Sequence, residues 1–275
     1  MKRILTSIAV ISLITCGVAS AADLQIKAPP APVYSWTGFY VGVNAGYAWA
    51  DADATSTFSC PSLSFPTPIG CALSNPVTLA SISAIASGNF NASGFIGGIQ
   101  TGYNLQIGSV VLGIELDFNA FNLTGSRTNT AVAEGPAFRT VSPSASIETD
   151  WLFTARGRLG WTVAPTLLLY ATGGLALTEI RVANSFPTPP ELVAVGQVHE
   201  GSSSQKHERI GYVVGGGLEW ALNRHWTLKG EYLFLDFRSI ETTAEVRSLI
   251  AAPNSFTTSV DVNAHIARLG INYKF

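Results

Sequence analysis

The chain has 275 residues, of which 12% are charged and 10% aromatic, a formal charge of −2 and a mean hydropathy of +0.29. It carries no basic run of the kind that holds nucleic acid. Beyond residue 21 no stretch is long and apolar enough to cross a membrane as a helix, so membrane contact, if any, must come from strands.

Lys2 and Arg3 precede a mostly apolar run from Ile4 to Val18, and Ala19-Ser20-Ala21 supplies a small-x-small cleavage signal. Residues 1–21 read as a secretory signal peptide cut after Ala21. Loss of Lys2 and Arg3 takes the charge from −2 to −4. Cys16 raises the alternative of a lipoprotein, which Thr15 disfavours as the residue preceding a lipidated cysteine. Residues 22–35, with Pro29, Pro30 and Pro32, read as an extended periplasmic tether.

From residue 36 to 275 a period-two alternation starts and recurs eight times, over 36–50, 94–106, 110–120, 150–163, 167–178, 209–221, 226–237 and 259–275. In the first segment Phe39, Val41, Val43, Tyr47 and Trp49 oppose Tyr40, Gly42, Asn44 and Gly46; in the third, Val110, Leu112, Ile114, Leu116 and Phe118 oppose Glu115, Asp117 and Asn119. Such alternation argues strands rather than helices. The connections alternate in length. Residues 106–109, 164–166 and 223–225 form tight turns, whereas 51–93, 121–149, 179–208 and 238–258 are long and rich in Ser, Thr, Pro and Asn. The fold class expected is all-β: an eight-stranded antiparallel up-and-down transmembrane β-barrel with short periplasmic turns and four long extracellular loops. The last strand supports it. Leu269, Ile271, Tyr273 and Phe275 alternate with Gly270, Asn272 and Lys274, as suits a closing strand with lipid on one side and lumen on the other. Outer-membrane lipid and the barrel-assembly machinery, through this strand, are the partners that reading implies; a host or extracellular ligand at the loops is a further one.

With polar faces inward, Glu115, Asp117, Arg156, Arg158, Glu219, Lys229, Glu231 and Arg268 share one lumen, four acids with four bases. Paired, they remain ionised in a confined space, and an eight-stranded barrel is just wide enough for its side chains to fill. A plugged, network-filled interior is expected; a proton or ion path along the same charges is the alternative. All six tryptophans fall at strand ends. Trp49, Trp151, Trp161, Trp220 and Trp226, with Tyr273 and Phe275, read as an aromatic girdle. Trp151 and Trp161, ten residues apart on one row, are roughly 25 Å apart in height. Cys60 and Cys71 survive cleavage, and their even count in an exported chain points to one disulfide, with two free thiols as the alternative.

No nucleophile elbow, zincin motif or P-loop is present, and the glycine runs lie in strand patterns, so no cofactor, metal or catalytic group is assigned. His199-Glu200 and His207-Glu208 offer imidazoles for a metal or haem-like ligand, against the plainer reading of two solvated loop histidines. Ser202, Ser203 and Ser204 near His207 give only a weak hint of a lipid-acting enzyme.

Four segments carry a resemblance: Trp36-Thr37-Gly38-Phe39-Tyr40-Val41-Gly42 soon after the Pro/Ala tether, Gly94-Phe95-Ile96-Gly97-Gly98-Ile99-Gln100-Thr101-Gly102-Tyr103-Asn104, Tyr170-Ala171-Thr172-Gly173-Gly174-Leu175-Ala176, and Trp226-Thr227-Leu228-Lys229-Gly230-Glu231-Tyr232. Together they resemble the alphaproteobacterial small outer-membrane proteins often called outer membrane immunogenic proteins, an OmpA-like surface antigen and porin group. The resemblance spans the strands of nearly the whole mature chain, while the loops look idiosyncratic. It implies an OmpA-like eight-stranded barrel exposed at the cell surface, and it carries no catalytic residues. The function expected is a non-enzymatic outer-membrane surface protein that contributes to envelope integrity and presents large loops. A small-solute porin or a haemin-binding surface protein is the alternative.

Overall fold

The structure, a computed structural model, describes residues 34–59, 76–133, 139–187, 199–248 and 254–275. Signal peptide, Cys60, Cys71 and all of the tether but Tyr34 and Ser35 lie outside the described residues. Eight long strands form a closed ring: β1 (Gly38–Ser59), β2 (Gly88–Ile107), β3 (Val110–Thr128), β6 (Ser144–Ala164), β7 (Leu167–Phe186), β8 (His199–Ala221), β9 (Trp226–Ser248) and β10 (Asn254–Lys274). Between them come helix α1 (Pro76–Ala86) and a two-stranded sheet of β4 (Ala131–Ala133) and β5 (Arg139–Val141). Each long strand pairs antiparallel with its neighbours in the order β1-β10-β9-β8-β7-β6-β3-β2, and β1 closes on β10 with Val41 opposite Tyr273 and Ala45 opposite Leu269. Antiparallel closure pairs the backbone of both would-be edges, the condition for crossing a bilayer with strands. The turn between β2 and β3 is short enough to require a left-handed residue, which Gly108 supplies at φ 63°.

The strands run well past the alternating segments of the sequence. β1 has 22 residues, which at ~3.3 Å per residue and a tilt near ~40° gives roughly 55 Å of height, about twice an outer-membrane apolar band. The long connections at the far end are therefore largely built into strand, α1 and the β4–β5 hairpin. Along the turn-end half, large apolar side chains face outward: Val43, Ile99, Ile114, Leu159, Leu218 and Leu269 are 50–65% exposed. Along the far half the pattern inverts. Asp51, Asp53, Glu148, Glu179 and Glu208 point outward, while Ala50, Ala52, Phe121, Leu123, Ile147, Ile180, Val182, Leu233, Leu235 and Val260 form one buried cluster inside the ring.

Two bulges tune this arrangement. The β9–β10 register slips between Asp261 and Asn263, where Arg238 of β9 adopts φ 59°, and β6 slips against β3 between Ala120 and Leu123 and against β7 between Thr149 and Leu152. The extra residue on β9 and on β6 flips which of that strand's side chains face inward. At the far end Ile82 of α1, 1% exposed, packs with Phe58, Phe186, Ala244 and Phe256 of the ring strands and Val141 of β5. Ser83 and Ser87 hydroxyls accept the backbone N–H groups of Phe58 and Ser56 at 3.0 and 2.9 Å, so the helix is fastened to β1.

Candidate functional site

The turn-end half of the lumen holds the eight charged residues singled out in the sequence, and all are buried. β3 contributes Glu115 and Asp117, β6 Arg156 and Arg158, β8 Glu219, β9 Lys229 and Glu231, and β10 Arg268. The ladder sets Glu115 opposite Arg156 and Glu219 opposite Lys229. Arg156 is the hub: its guanidinium pairs with Glu115, with Asp117 at 2.8 Å and with Glu231 at 3.0 Å. Lys229 donates to both Glu115 oxygens at 2.7 and 2.9 Å. Arg268 bridges Asp117 at 3.1 Å and Glu231 at 2.7 Å, and Arg158 pairs with Glu219. The acids' remaining lone pairs are also engaged. Tyr40 donates to Glu115 at 2.6 Å, Tyr170 to Glu231 at 2.9 Å, Thr154 to Asp117 at 2.7 Å and Asn272 to Glu219 at 2.9 Å. Four acids against four bases leave no net charge, which is how a desolvated cluster stays ionised.

Sequence reasoning assigned Tyr40, Thr154, Tyr170 and Asn272 no part in this network. Their signal was parity: each shares the inward face of its strand with the charges. A glycine makes room for each tyrosine. A Cβ at Gly102 would meet the Tyr40 ring at 2.6 Å, and one at Gly217 the Tyr170 ring at 2.8 Å. Arg158 lies 3.8 Å over the Tyr170 ring, which adds a cation–π contact.

The turn end is closed by an apolar cluster of Trp36, Val111, Leu168, Tyr170 and Ala221 with Tyr34. Trp36 thus departs from the other five tryptophans. It is 1% exposed inside the mouth, edge-on to Tyr34 at 4.9 Å, and its backbone N–H donates to Gln106 at 2.8 Å. The residues preceding β1 fold back across the opening rather than into the girdle. Burial, with the nearby Glu219 charge, pushes the Tyr34 phenol well above its ordinary range.

Trp49, Trp161, Trp220, Trp226 and Phe275 are on the outer surface, 38–68% exposed. Trp151 stacks on Phe118 at 6.2 Å, and Tyr273 contacts Trp226 at 5.2 Å. His199 and His207 are not brought together. They occupy one strand, β8, eight residues apart, or about 26 Å, too far to ligate one iron or one small metal ion. Among the described residues no group of three His, Cys, Asp or Glu converges as a metal site.

The family model for the outer membrane protein beta-barrel domain matches residues 8–275. The 31 kDa outer-membrane immunogenic protein of Brucella melitensis biotype 1 is 36% identical over 94% of this chain and 93% of its own. The 22 kDa outer membrane protein of Rhizobium leguminosarum bv. viciae is 24% identical over 90% of this chain and 82% of its own. Among solved structures, the outer membrane protein OprG from Pseudomonas aeruginosa aligns with a TM-score of 0.48 and 16% identity, covering 88% of this chain and 98% of that one. A closed ring of eight antiparallel strands with an apolar outer band, together with the family match and the Brucella relative, places the chain in the outer membrane, in contact with its lipid, as a member of the outer membrane protein β-barrel family.

Proposed function

We propose that the protein is a non-enzymatic, non-conducting surface barrel that contributes to envelope integrity and displays its far half outside the cell. What supports this reading most is the succession of buried side chains inside the ring: Tyr34 and Trp36 at the turn end, the eight-charge network above them, the apolar cluster above that, and α1 packed at the far end. A side-chain-filled interior suits an anchored surface protein more than a diffusion channel. In this reading residues 1–21 are removed on export, 22–35 tether the barrel on the periplasmic side, 36–275 form the barrel, and the strand ending in Phe275 addresses the barrel-assembly machinery. Planar-bilayer recordings of refolded protein test it, with folding checked by heat-shifted gel mobility. Silence at high salt is expected, and stable conductance steps of uniform size would overturn the reading in favour of a small-solute porin.

A further inference from the structure

Neutralisation inside the barrel is uneven. In the turn-end half every inward acid meets an inward base. Among the residues whose side chains are described, the inward-facing ionisable ones in the far half are Arg127, His207 and Arg209, and no described acid pairs with any of them. The Arg127 guanidinium, whose Nη1 is buried without a hydrogen-bond partner, packs against Gly88, just past the C-terminal end of α1, where the helix dipole places partial negative charge. Arg209 and His207 have no such neighbour. They lie two residues apart on one face of β8, opposite Thr178 and Ile180 of β7.

On their other side the ladder pairing of the wall lapses. β8 and β9 pair at Glu200–Arg247 and again from Tyr212–Asp236, and no ladder pairing joins 201–211 to 237–246. At this seam His207 Nε2, Arg209 Nε and Thr242 Oγ1 are buried and have no hydrogen-bond partner in the protein, with Thr242 only 1% exposed. The charged groups outside the seam are already engaged or turned away: Lys206 pairs with Glu179 at 2.5 Å, Asp236 accepts from Tyr212 at 2.9 Å, and Glu208 and Glu241 point to solvent.

An arginine without an acid whose Nε is buried and unpartnered, an imidazole nitrogen and a hydroxyl likewise without partners, and a stretch of β8 and β9 without ladder pairing share one missing complement, an oxyanion. We propose that the β8–β9 seam binds a phosphate or carboxylate group through Arg209 and His207, with Thr242 donating from the facing strand. The anion enters laterally through the seam, just beyond the apolar band, so it comes from a free small anion or from a lipid headgroup at that level.

The test uses the full chain, folded in zwitterionic micelles with nitrogen-labelled histidine, the His207 ring signals being assigned by their loss in His207→Asn. Inorganic phosphate, titrated at constant ionic strength against chloride, is expected to shift those signals saturably. Arg209→Gln should weaken that binding at least about tenfold, the loss of one charge-assisted contact; Thr242→Val, which removes no charge, should weaken it about threefold. In a second arm, micelles doped with phosphatidic acid and free of soluble phosphate replace the titrant. A His207 response there and not to inorganic phosphate assigns the anion to a lipid headgroup, and the reverse assigns it to a free ion; both support the site. The absence of a saturable response in both arms, or an Arg209→Gln protein that binds like the parent with its gel shift intact, overturns it.

Discussion

Within β1, Phe39, Val41, Val43 and Tyr47 turn outward while Tyr40 and Asn44 turn inward; a few residues further on, Asp51 and Asp53 turn outward while Ala50, Ala52, Ala54 and Phe58 turn inward. β9 repeats the change: Lys229 and Glu231 face the lumen below, Leu233, Leu235 and Phe237 above. Neither strand breaks at the crossover. The turn-end half has lipid outside and a polar, ion-paired interior. The outer half has a polar exterior and an apolar core, the arrangement of a water-soluble barrel. One continuous sheet is thus matched to two solvents, and what changes between them is only which face carries the apolar residues.

The largest expected effect breaks the lower interior. Arg156→Met leaves Glu115, Asp117 and Glu231 short of their shared partner and should cost about 3–5 kcal/mol, the penalty of uncompensated buried charge, read by urea unfolding in micelles. The matching change above is Leu235→Ala. That residue is fully buried, and its truncation should cost about 2–5 kcal/mol as an ordinary core cavity, with no sensitivity to salt. The exteriors differ more sharply. Ile99→Arg puts a charge on the band, where Ile99 is 65% exposed, and should cost about 2–4 kcal/mol in a bilayer. Thr57→Arg, also outward but on the outer half, should stay within about 0.5 kcal/mol. Equal costs at these two positions would dissolve the distinction. Asp53→Asn, on the polar exterior, should be the smallest of all, again within about 0.5 kcal/mol.

The sequence made one half far more legible than the other. Where lipid is the outer solvent, Val110 to Phe118 alternates large apolar with polar residues, and period two stands out. The lumen charges followed from the same parity, because a charge cannot sit on the lipid face. In the outer half the alternation continues, but small: Ala50-Asp51-Ala52-Asp53-Ala54 is a strand whose apolar side is only methyl groups, and beside Ser- and Thr-rich stretches it reads as loop. The bulges at Arg238 and near Thr149 reverse parity midway, which no fixed period follows. Helix α1 left a faint signal in the spacing of Leu79, Ile82 and Ile85, obscured by the Ser, Thr and Pro around it. Trp36 could not be told from a girdle residue, since only the backward fold of residues 34–37 turns it inside.

Site-directed spin labels on either side of the crossover test the two-solvent account most directly. Labels replacing Val43, Ile99, Asp53 and Thr57, all outward-facing, would be compared in bilayers for relaxation by oxygen and by a water-soluble nickel chelate. Oxygen should dominate at 43 and 99 and the chelate at 53 and 57. Lipid-like behaviour at 53 and 57 would contradict the account, because the outer half would then lie in the membrane with its polar face toward lipid.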